Sequence, residues 1–283
     1  MRLASLKDGS VIAISREGVV NLSDVGFGGS MLGLIEEGPD ELNRIKKDSG
    51  NAAKTKGIEN ESLAAPLDNP PKIVAIGLNY KDHAKESKME LPKTPLVFAK
   101  FGSSITGPSD PIVIPGHLTK EVDYEAELGV IIGKRAKNVN KNDALDYVFG
   151  YTVINDVSAR DLQFSDKQWV RAKSLDTFCP MGPVIVTPDE ISDPQNLELG
   201  CEVNGVELQN NNTSNMIFGV AELISSLSHS FTLEPGDVIA TGTPSGVGFS
   251  RKPPIFLKEG DVVRTWVRGI GELLNHVTVT RSE

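Results

Sequence analysis

Two glutamates stand just before an apolar run, where free carboxylates are unusual. Glu125 and Glu127 lie in the segment DYEAELGVII, Asp123 precedes them at the same spacing, and residues 128–132 carry no charge. Alternate side chains of a β-strand share one face, so these carboxylates are predicted to converge. Ionised carboxylates at such short separations repel each other, and they lose hydration when they are buried. A bound cation offsets both costs. A solvated edge strand is the simpler alternative, which the uncharged residues that follow disfavour.

A third carboxylate follows another strand-like segment. Asp156 comes directly after GYTVIN, inside the sequence NDVSARD. Site residues often lie where strands end. Three carboxylates with no histidine or cysteine among them suit a hard divalent ion, and we expect Mg²⁺, with Mn²⁺ as the alternative. The predicted metal ligands are therefore Glu125, Glu127 and Asp156.

A second group of reactive residues lies in the segment GLNYKDHAKE, directly after a predicted strand. Asn79 is predicted to cap a short helix, on which His83 and Glu86 would share one face because they are three positions apart. A carboxylate beside an imidazole raises its basicity, which suits a general base. A pair of surface residues is the simpler alternative for this spacing alone.

The composition restricts the partners and the compartment. The 283 residues include 29 Lys and Arg against 38 Asp and Glu, a formal charge of −9, so neither nucleic acid nor an anionic membrane is expected as a partner. The two cysteines, Cys179 and Cys201, fit no disulfide framework or metal spacing and suit a reducing compartment. The N-terminal segment does not resemble a signal peptide, and no apolar run approaches the roughly 18 residues of a membrane span. We therefore expect a cytoplasmic protein.

The spacing of the apolar runs predicts an α+β fold that is predominantly β. Many short apolar runs lie between Gly and Pro turns, with few long helical patterns, which indicates a mixed β-sandwich or roll and not a doubly wound sheet. A polar stretch that begins at Gly50 ends in the breakers Asn69-Pro70-Pro71. We predict a small N-terminal α/β domain with its linker at residues 1–70 and the main domain, which the resemblance described next identifies as catalytic, at residues 71–283.

Seven segments in a fixed order give the chain a resemblance to the fumarylacetoacetate hydrolase superfamily. They are GLNYKDHAKE, PLVFAKF, DYEAELGVIIGK, GYTVINDVSARD, AKSLDTFCPMGP, CEVNGV and PGDVIATGTPSGVG. The match covers residues 71–283, and TFCPMGP together with RKPPIFLKEGD is most similar to the branch that contains fumarylacetoacetate hydrolase domain-containing protein 2. The resemblance implies a fumarylacetoacetase C-terminal-like fold for this domain, a small 2-oxo acid as substrate, and a homodimer.

The resemblance also implies roles for individual residues. The three acids named above match the Mg²⁺ ligands of the family. His83 matches the general base, paired with Glu86 on a lid that orders over the substrate, and Lys173 matches a lysine close to the metal. The positions that match substrate contacts are Arg160, Gln163 and Thr243, with Lys100 as a further candidate. The founding hydrolase has an additional aspartate ligand near the lid, and GLNY offers none at the matching place.

These residues together predict metal-dependent chemistry on 2-oxo (β-dicarbonyl) carboxylic acids. A divalent ion polarises the 2-oxo group and stabilises an enolate, to which Lys173 adds positive charge. If His83 activates a water aimed at a second carbonyl, the outcome is C–C hydrolysis of an acylpyruvate or fumarylpyruvate, which is the main expectation. If water is excluded, the outcome is keto–enol tautomerisation or decarboxylation of oxaloacetate, the alternative. A binding protein without turnover on the same fold is a further alternative.

Two other classes of enzyme are disfavoured. The sequence contains neither the nucleophile elbow G-x-S-x-G of serine hydrolases nor a glycine-rich phosphate loop.

Overall fold

A computed structural model of the chain describes residues 1–55, 57 and 62–281. The strands are β1 (Arg2–Ser5), β2 (Val11–Ser15), β3 (Gly18–Asn21), β4 (Ile73–Gly77), β5 (Leu96–Lys100), β6 (Ile105–Thr106), β7 (Ile112–Pro115), β8 (Val122–Asp123), β9 (Ala126–Ile132), β10 (Val148–Asn155), β11 (Ser158–Ala159), β12 (Cys179–Val186), β13 (Glu198–Val203), β14 (Val206–Asn212), β15 (Val238–Ala240), β16 (Val262–Val267) and β17 (Gly271–Thr280). The helices are α1 (Met31–Glu37), α2 (Pro39–Asn51), α3 (Lys81–Glu86), α4 (Arg160–Asp166), α5 (Val170–Lys173) and α6 (Val220–Ser230).

Two mixed sheets contain most of these strands. The larger sheet has the order β3-β2-β1-β12-β10-β9-β15-β4-β5, with β6 paired to β12 at the side. The smaller sheet has the order β14-β13-β16-β17-β7, and β11 pairs with β8 in a two-stranded ribbon. Neighbours are antiparallel except β15 with β4, β12 with β6 and β17 with β7. Mixed sheets with few helices confirm the predicted α+β, predominantly β class.

The centre of the larger sheet brings acidic residues into the interior. Every residue of β9 and β10 is buried, and the two strands pair with Leu128 opposite Val153 and Glu127 opposite Ile154. Gly129 allows this close packing, because a Cβ on it would lie 2.7 Å from the Ile154 side chain. A strand that is covered on both faces has a nearly continuous apolar sequence. Residues 128–132 have such a sequence, and Glu127 is buried because it lies in the same strand.

The N-terminal strands are hydrogen-bonded directly into the larger sheet. β1 pairs with β12, with Arg2 opposite Val186 and Leu3 opposite Ile185, and β2 and β3 continue the sheet outward. Leu34 of α1 belongs to the same apolar cluster as residues of β4 and β12. The boundary at residue 70 stays a prediction. Of the predicted linker, residues 56 and 58–61 lie outside the described residues, as do residues 282–283 at the end of the predicted catalytic domain.

Among the described residues, no helix is both long enough and apolar enough to cross a membrane.

Candidate metal centre and active site

The three predicted metal ligands come together in the interior. Glu125 lies between β8 and β9, Glu127 lies in β9, and Asp156 follows β10. One carboxylate oxygen from each lies within 4.8 Å of the other two, and all three residues are buried. Strand pairing sets this arrangement, because the Asp156 amide donates to the Glu125 carbonyl while Ile154 stands opposite Glu127. The two strands thus place the acids where the sequence predicts a metal site.

Buried cations surround these carboxylates. Lys173 Nζ donates to Glu125 Oε2 at 2.7 Å and to Asp156 Oδ2 at 2.8 Å. Lys100 Nζ donates to Asp156 Oδ1 at 2.6 Å. Arg160 Nη2 forms an ion pair with Glu125 Oε1 at 2.6 Å. Pairing with these cations offsets part of the cost of removing the carboxylates from water.

Burial and charge move the pKa values of the two glutamates in opposite directions. Burial pushes the pKa of Glu125 up, but Lys173 and Arg160 outweigh it, so the pKa falls to about 2. Burial, Asp156 and Glu125 together raise the pKa of Glu127 well above its ordinary value. Burial pushes the pKa of Lys173 down, yet Asp156 and Glu125 outweigh it and raise the pKa, so the ammonium keeps its proton. Glu127 is therefore the acid whose charge most needs a further cation.

The donor set fits a hard divalent ion. The group offers three carboxylates and no sulfur or imidazole, which suits Mg²⁺ or Mn²⁺ better than thiophilic ions. With Asp123 included, four buried acids face three buried cations. A divalent ion would turn this excess of negative charge into an excess of positive charge. The site would then attract an anionic substrate.

Asp123 does not join the metal group, although the sequence places it on the same strand face as the glutamates. Its Oδ2 accepts from Arg160 Nε at 2.8 Å, and the backbone amides of Gly248 and Phe249 also donate to its carboxylate, at 2.7 and 3.1 Å. Arg160 Nη1 donates to Gln163 Oε1 at 2.9 Å. β8 ends at Asp123 and β9 begins at Ala126, so the strand alternation is interrupted between them. Asp123 instead orients Arg160.

His83 and Glu86 lie on α3, one turn apart, as the sequence predicts. His83 Nδ1 is 3.4 Å from Glu86 Oε2, and His83 is only 6% exposed. The Gly246 amide donates to both carboxylate oxygens of Glu86 at 3.1 Å. The Ser245 hydroxyl donates to Asp82 Oδ2 at 2.5 Å. The helix is therefore attached by two carboxylates to one loop, residues 241–248.

Asn79 does not cap this helix, and that prediction is wrong. α3 begins after Tyr80, whose side chain makes no capping hydrogen bond. The Asn79 amide nitrogen donates to the carbonyls of Phe218 and Thr241, and its Oδ1 accepts from the Phe218 amide. These partners are 139 and 162 positions away in the chain, so local sequence favoured a capping role that tertiary structure replaces. Asn79 instead fixes the end of β4 to two distant loops.

A cavity of about 140 Å³ collects most of the predicted site residues. The predicted residues on its wall are His83, Glu125, Arg160, Gln163, Lys173 and Thr243. The Thr243 hydroxyl donates to the Ala126 carbonyl at 3.0 Å and accepts from Gln209 at 2.8 Å, which fixes its position. Two larger surface clefts, of about 920 and 780 Å³, contain none of the predicted site residues. We therefore take the small cavity as the candidate active site.

Lys100 does not reach this wall. Its side chain is fully buried, where its Nζ contacts Asp156 and the backbone carbonyl of Lys173. The structure places it behind the three predicted metal ligands, where its charge acts on Asp156. A contact between Lys100 and substrate, as the resemblance implies, stays a prediction.

Sequence reasoning missed the aromatic part of the cavity wall. Phe98 and Trp169 meet edge to face with ring centroids 5.4 Å apart, and Phe164 and Phe249 meet in the same way at 5.6 Å. All four residues line the cavity. They come from β5, α4, the residue before α5 and the loop before β16. No local spacing connects these segments, so only the fold reveals the wall.

Comparisons with known proteins agree with the geometry. The sequence profile described as Fumarylacetoacetate (FAA) hydrolase C-terminal matches residues 72–278. Over 246 residues the chain is 51% identical to a Xenopus laevis protein named oxaloacetate tautomerase fahd2, mitochondrial, with 86% of this chain and 77% of that protein covered. The structure of fumarylacetoacetate hydrolase from Exiguobacterium antarcticum is similar with a TM-score of 0.85 at 37% identity, covering 99% of this chain and 100% of that chain.

A further solved structure contains a metal. Maleylpyruvate hydrolase from Sphingobium sp. SYK-6, in complex with manganese(II) ion and pyruvate, is similar with a TM-score of 0.82 at 31% identity, covering 99% of this chain and 100% of that chain. These relatives are named as enzymes, and the tautomerase name supports the oxaloacetate alternative better than C–C hydrolysis. The manganese ion supports a divalent-metal site, without favouring Mg²⁺. The mitochondrial name belongs to the relative, and the cytoplasmic location of this chain stays a prediction.

Proposed function

Because the chain belongs to the fumarylacetoacetate hydrolase family, we propose that it is a divalent-metal-dependent oxaloacetate keto–enol tautomerase. The observation that carries the proposal is a cavity of only about 140 Å³ on whose wall Glu125, Lys173 and His83 meet. A metal ligand, a fixed positive charge and a base thus surround a space suited to a small acid. The 51% sequence identity to a protein named oxaloacetate tautomerase supports this activity over the C–C hydrolysis that was the main expectation from the sequence.

Mg²⁺ or Mn²⁺ is the proposed cofactor, held by Glu125, Glu127 and Asp156. When bound, such an ion acts as a Lewis acid that stabilises negative charge on the 2-oxo oxygen of the substrate. Arg160, Gln163 and Thr243 are the proposed contacts for the carboxylates of the substrate. Gln163 Oε1 accepts a hydrogen bond from Arg160. The amide nitrogen of Gln163 is therefore available to donate to a substrate carboxylate.

His83 is the proposed base. Its Nδ1 faces Glu86, so Nε2 is the nitrogen left for the substrate. In the keto-to-enol direction the C3–H bond breaks, the proton passes to His83 Nε2, and the electron pair forms the C2=C3 double bond while negative charge moves to the 2-oxo oxygen. The imidazolium then gives that proton to the oxygen, so no atom is gained or lost. Lys173 donates two hydrogen bonds to carboxylates, and its third N–H is available to the developing charge.

Restricted access of water favours tautomerisation over hydrolysis. C–C hydrolysis needs a water held against a second carbonyl, whereas proton transfer within the substrate needs none. His83 is a buried residue of α3, and the neighbouring wall of Phe98, Trp169 and Phe249 offers a water few hydrogen-bond partners. The same groups that could activate water are thus placed beside an apolar surface.

Product analysis of metal-loaded protein tests the proposal. The protein should accelerate the loss of enol absorbance from freshly dissolved enol-oxaloacetate, with no release of CO₂. Pyruvate formed from oxaloacetate would identify a decarboxylase instead. Cleavage of fumarylpyruvate without any effect on the tautomers would identify a C–C hydrolase, and binding of Mg²⁺ and oxalate with no product would identify a binding protein.

The homodimer and the 2-oxo acid are proposed from the resemblance, and the absence of nucleic-acid and membrane partners is proposed from the formal charge of −9. We propose a homodimer that binds a small 2-oxo acid and neither nucleic acid nor membrane. Light scattering that gives only a monomer of 30.4 kDa would contradict the dimer.

A further inference from the structure

We infer that Trp169, seated on Gly77 and packed against Phe98, sets the length of the 2-oxo acid that the cavity accepts. The identity of the substrate class rests on the proposed function, whereas the position of the wall rests on the contacts of these three residues. All three line the cavity. Longer acids would have to extend beyond the wall that they form.

Gly77 allows the indole to lie directly on the backbone of the sheet. A Cβ at Gly77, the last residue of β4, would lie 2.4 Å from Trp169 Cζ3. Contacts this short do not occur, so any larger residue at this position would displace the ring. The backbone conformation of Gly77 is an ordinary one, and close approach of the indole is therefore the feature that requires glycine. The wall is thus backed by the main chain and cannot recede in that direction.

Phe98 connects this wall to the reacting groups. Its ring meets Trp169 edge to face with an interplanar angle of 70°, and Lys173 Nζ lies 5.3 Å from the centroid of the same ring. The Lys173 amide also donates to the Trp169 carbonyl at 3.0 Å, across one turn. Lys173 in turn contacts the metal ligands Glu125 and Asp156. The separation between the wall and the metal site is therefore fixed by a continuous chain of contacts.

The two sides of the cavity suit different parts of a substrate. Arg160 and Gln163 offer N–H donors to carboxylates, whereas the rings of Trp169 and Phe98 offer mainly apolar surface. The acyl tail of a longer 2-oxo acid would have to lie on the apolar side. A volume of about 140 Å³ equals roughly five waters at about 30 Å³ each, and pockets for drug-sized ligands start at about 300 Å³. A four-carbon dicarboxylate fits such a space, and a long acylpyruvate meets the indole.

Trp169→Ala tests this wall, with Trp266→Ala as a matched control. Trp266 lies on β16 outside the cavity and also packs on a glycine, since a Cβ at Gly200 would lie 2.7 Å from Trp266 Cζ2. Competition against oxalate on Mn²⁺-loaded protein would measure affinity for pyruvate, oxaloacetate and acylpyruvates of increasing chain length. Trp169→Ala should leave oxalate affinity within a few-fold of wild type and raise affinity for the longest acids by roughly 10-fold or more. Trp266→Ala should change neither.

A second pair of variants covers the case in which Trp169→Ala does not fold. Gly77→Ala displaces the indole by contact while both aromatic rings remain, and Gly28→Ala adds a Cβ with no atom within 4 Å. The ratio of long-acid to oxalate affinity should change in Gly77→Ala and stay at the wild-type value in Gly28→Ala. An unchanged ratio in the folded Trp169 or Gly77 variant would overturn the inference. Wild-type protein that does not tautomerise oxaloacetate would overturn the proposed function alone, since this binding series requires no turnover.

Discussion

Asp82 accepts a 2.5 Å hydrogen bond from the Ser245 hydroxyl, and this contact attaches the helix that carries His83 to the loop that carries Thr243. The Asn211 amide nitrogen donates to the same Asp82 oxygen at 2.5 Å. The carboxylate of Asp82 thus fixes the position of the proposed base, His83, relative to the proposed substrate contact, Thr243, although the two lie on separate segments. Displacement of about 1 Å at a reacting group can lower a rate by roughly 10²-fold. The Asp82 contact therefore belongs to the machinery that positions His83.

Asp82→Ala should lower kcat by roughly 10–100-fold, because α3 loses one of its two attachments to the loop and His83 is no longer held at the cavity. Mg²⁺ affinity should stay unchanged, since Asp82 contacts none of the three metal ligands. Steady-state kinetics and calorimetric metal titration would measure both. Asp68→Ala, at an exposed position, is the control and should behave as wild type. Equal kcat values for the two variants would show that Asp82 does not position the base.

His83→Ala should lower turnover by roughly 10²–10⁴-fold, the usual effect of losing a general base. Affinity for Mg²⁺ and oxalate should change little, because the three carboxylates that would hold the ion remain. Glu86→Gln should lose less activity, since it removes only the charge beside Nδ1 and keeps one oxygen for the Gly246 amide. His229→Ala, on the exposed side of α6, is the matched control. If His83→Ala abolished oxalate binding instead, His83 would be a binding residue and another group would be the base.

Glu127→Gln should abolish Mg²⁺ binding and activity while leaving the metal-free fold intact. The amide keeps the shape of the side chain and an acceptor for the Gly242 amide, which donates to Glu127 Oε2 at 2.8 Å. It removes a charge that the metal-free interior disfavours, so Tm without metal should be equal to or above the wild-type value. Glu207→Gln, on exposed β14 surface, should leave metal binding unchanged. Full wild-type activity in excess chelator would contradict a metal-dependent reaction.

The same residue predicts how metal binding depends on pH. The pKa of Glu127 is raised in the folded metal-free protein, by burial first and then by Asp156 and Glu125. An acid with a raised folded pKa contributes stability below its unfolded pKa, and that contribution is lost as the pH rises through the folded pKa. Thermal melts should therefore show a metal-free Tm that falls and a gain from saturating Mg²⁺ that grows from pH 5 upward. In Glu127→Gln the fall of the metal-free Tm with pH should weaken, and Mg²⁺ should give no gain in Tm at any pH.

The convergence of the three acids could be predicted from the sequence because two adjacent strands carry them. Glu125, Glu127 and Asp156 each lie within or beside a buried strand, and pairing of β9 with β10 is enough to bring them together. Strand content and fold class follow from the same apolar runs. Local spacing also suffices for His83 and Glu86, which lie one turn apart on α3.

Contacts between distant segments could not be predicted in this way. Asn79 is a good capping residue by type, yet it binds the carbonyls of Phe218 and Thr241. The wall of Phe98 and Trp169 joins β5 to the residue before α5, and nothing in the local pattern of either segment indicates that they meet. The attachment of Asp82 to Ser245 spans 163 positions. In each case tertiary packing assigns the role, and residue type alone leaves several roles open.

Asp123→Asn should separate the support of the substrate site from metal binding. Asp123 is fully buried and compensates the buried guanidinium of Arg160 through a 2.8 Å hydrogen bond. Breaking one partner of such a pair costs about 3–5 kcal/mol of unfolding free energy, because the remaining charge is left in a poorly solvated place. Urea unfolding should show this loss, and oxalate affinity should fall as Arg160 is no longer oriented beside Gln163.

The double variant Asp123→Asn/Arg160→Gln removes both charges and should recover part of the lost stability without recovering activity. Mg²⁺ affinity in folded Asp123→Asn protein should stay near wild type, because Asp123 is not among the three clustered acids. If Asp123→Asn lost Mg²⁺ as completely as Glu127→Gln, Asp123 would have to act on the metal site itself. If instead the double variant were no more stable than the single one, the backbone amides of Gly248 and Phe249 would be the contacts through which Asp123 stabilises the fold.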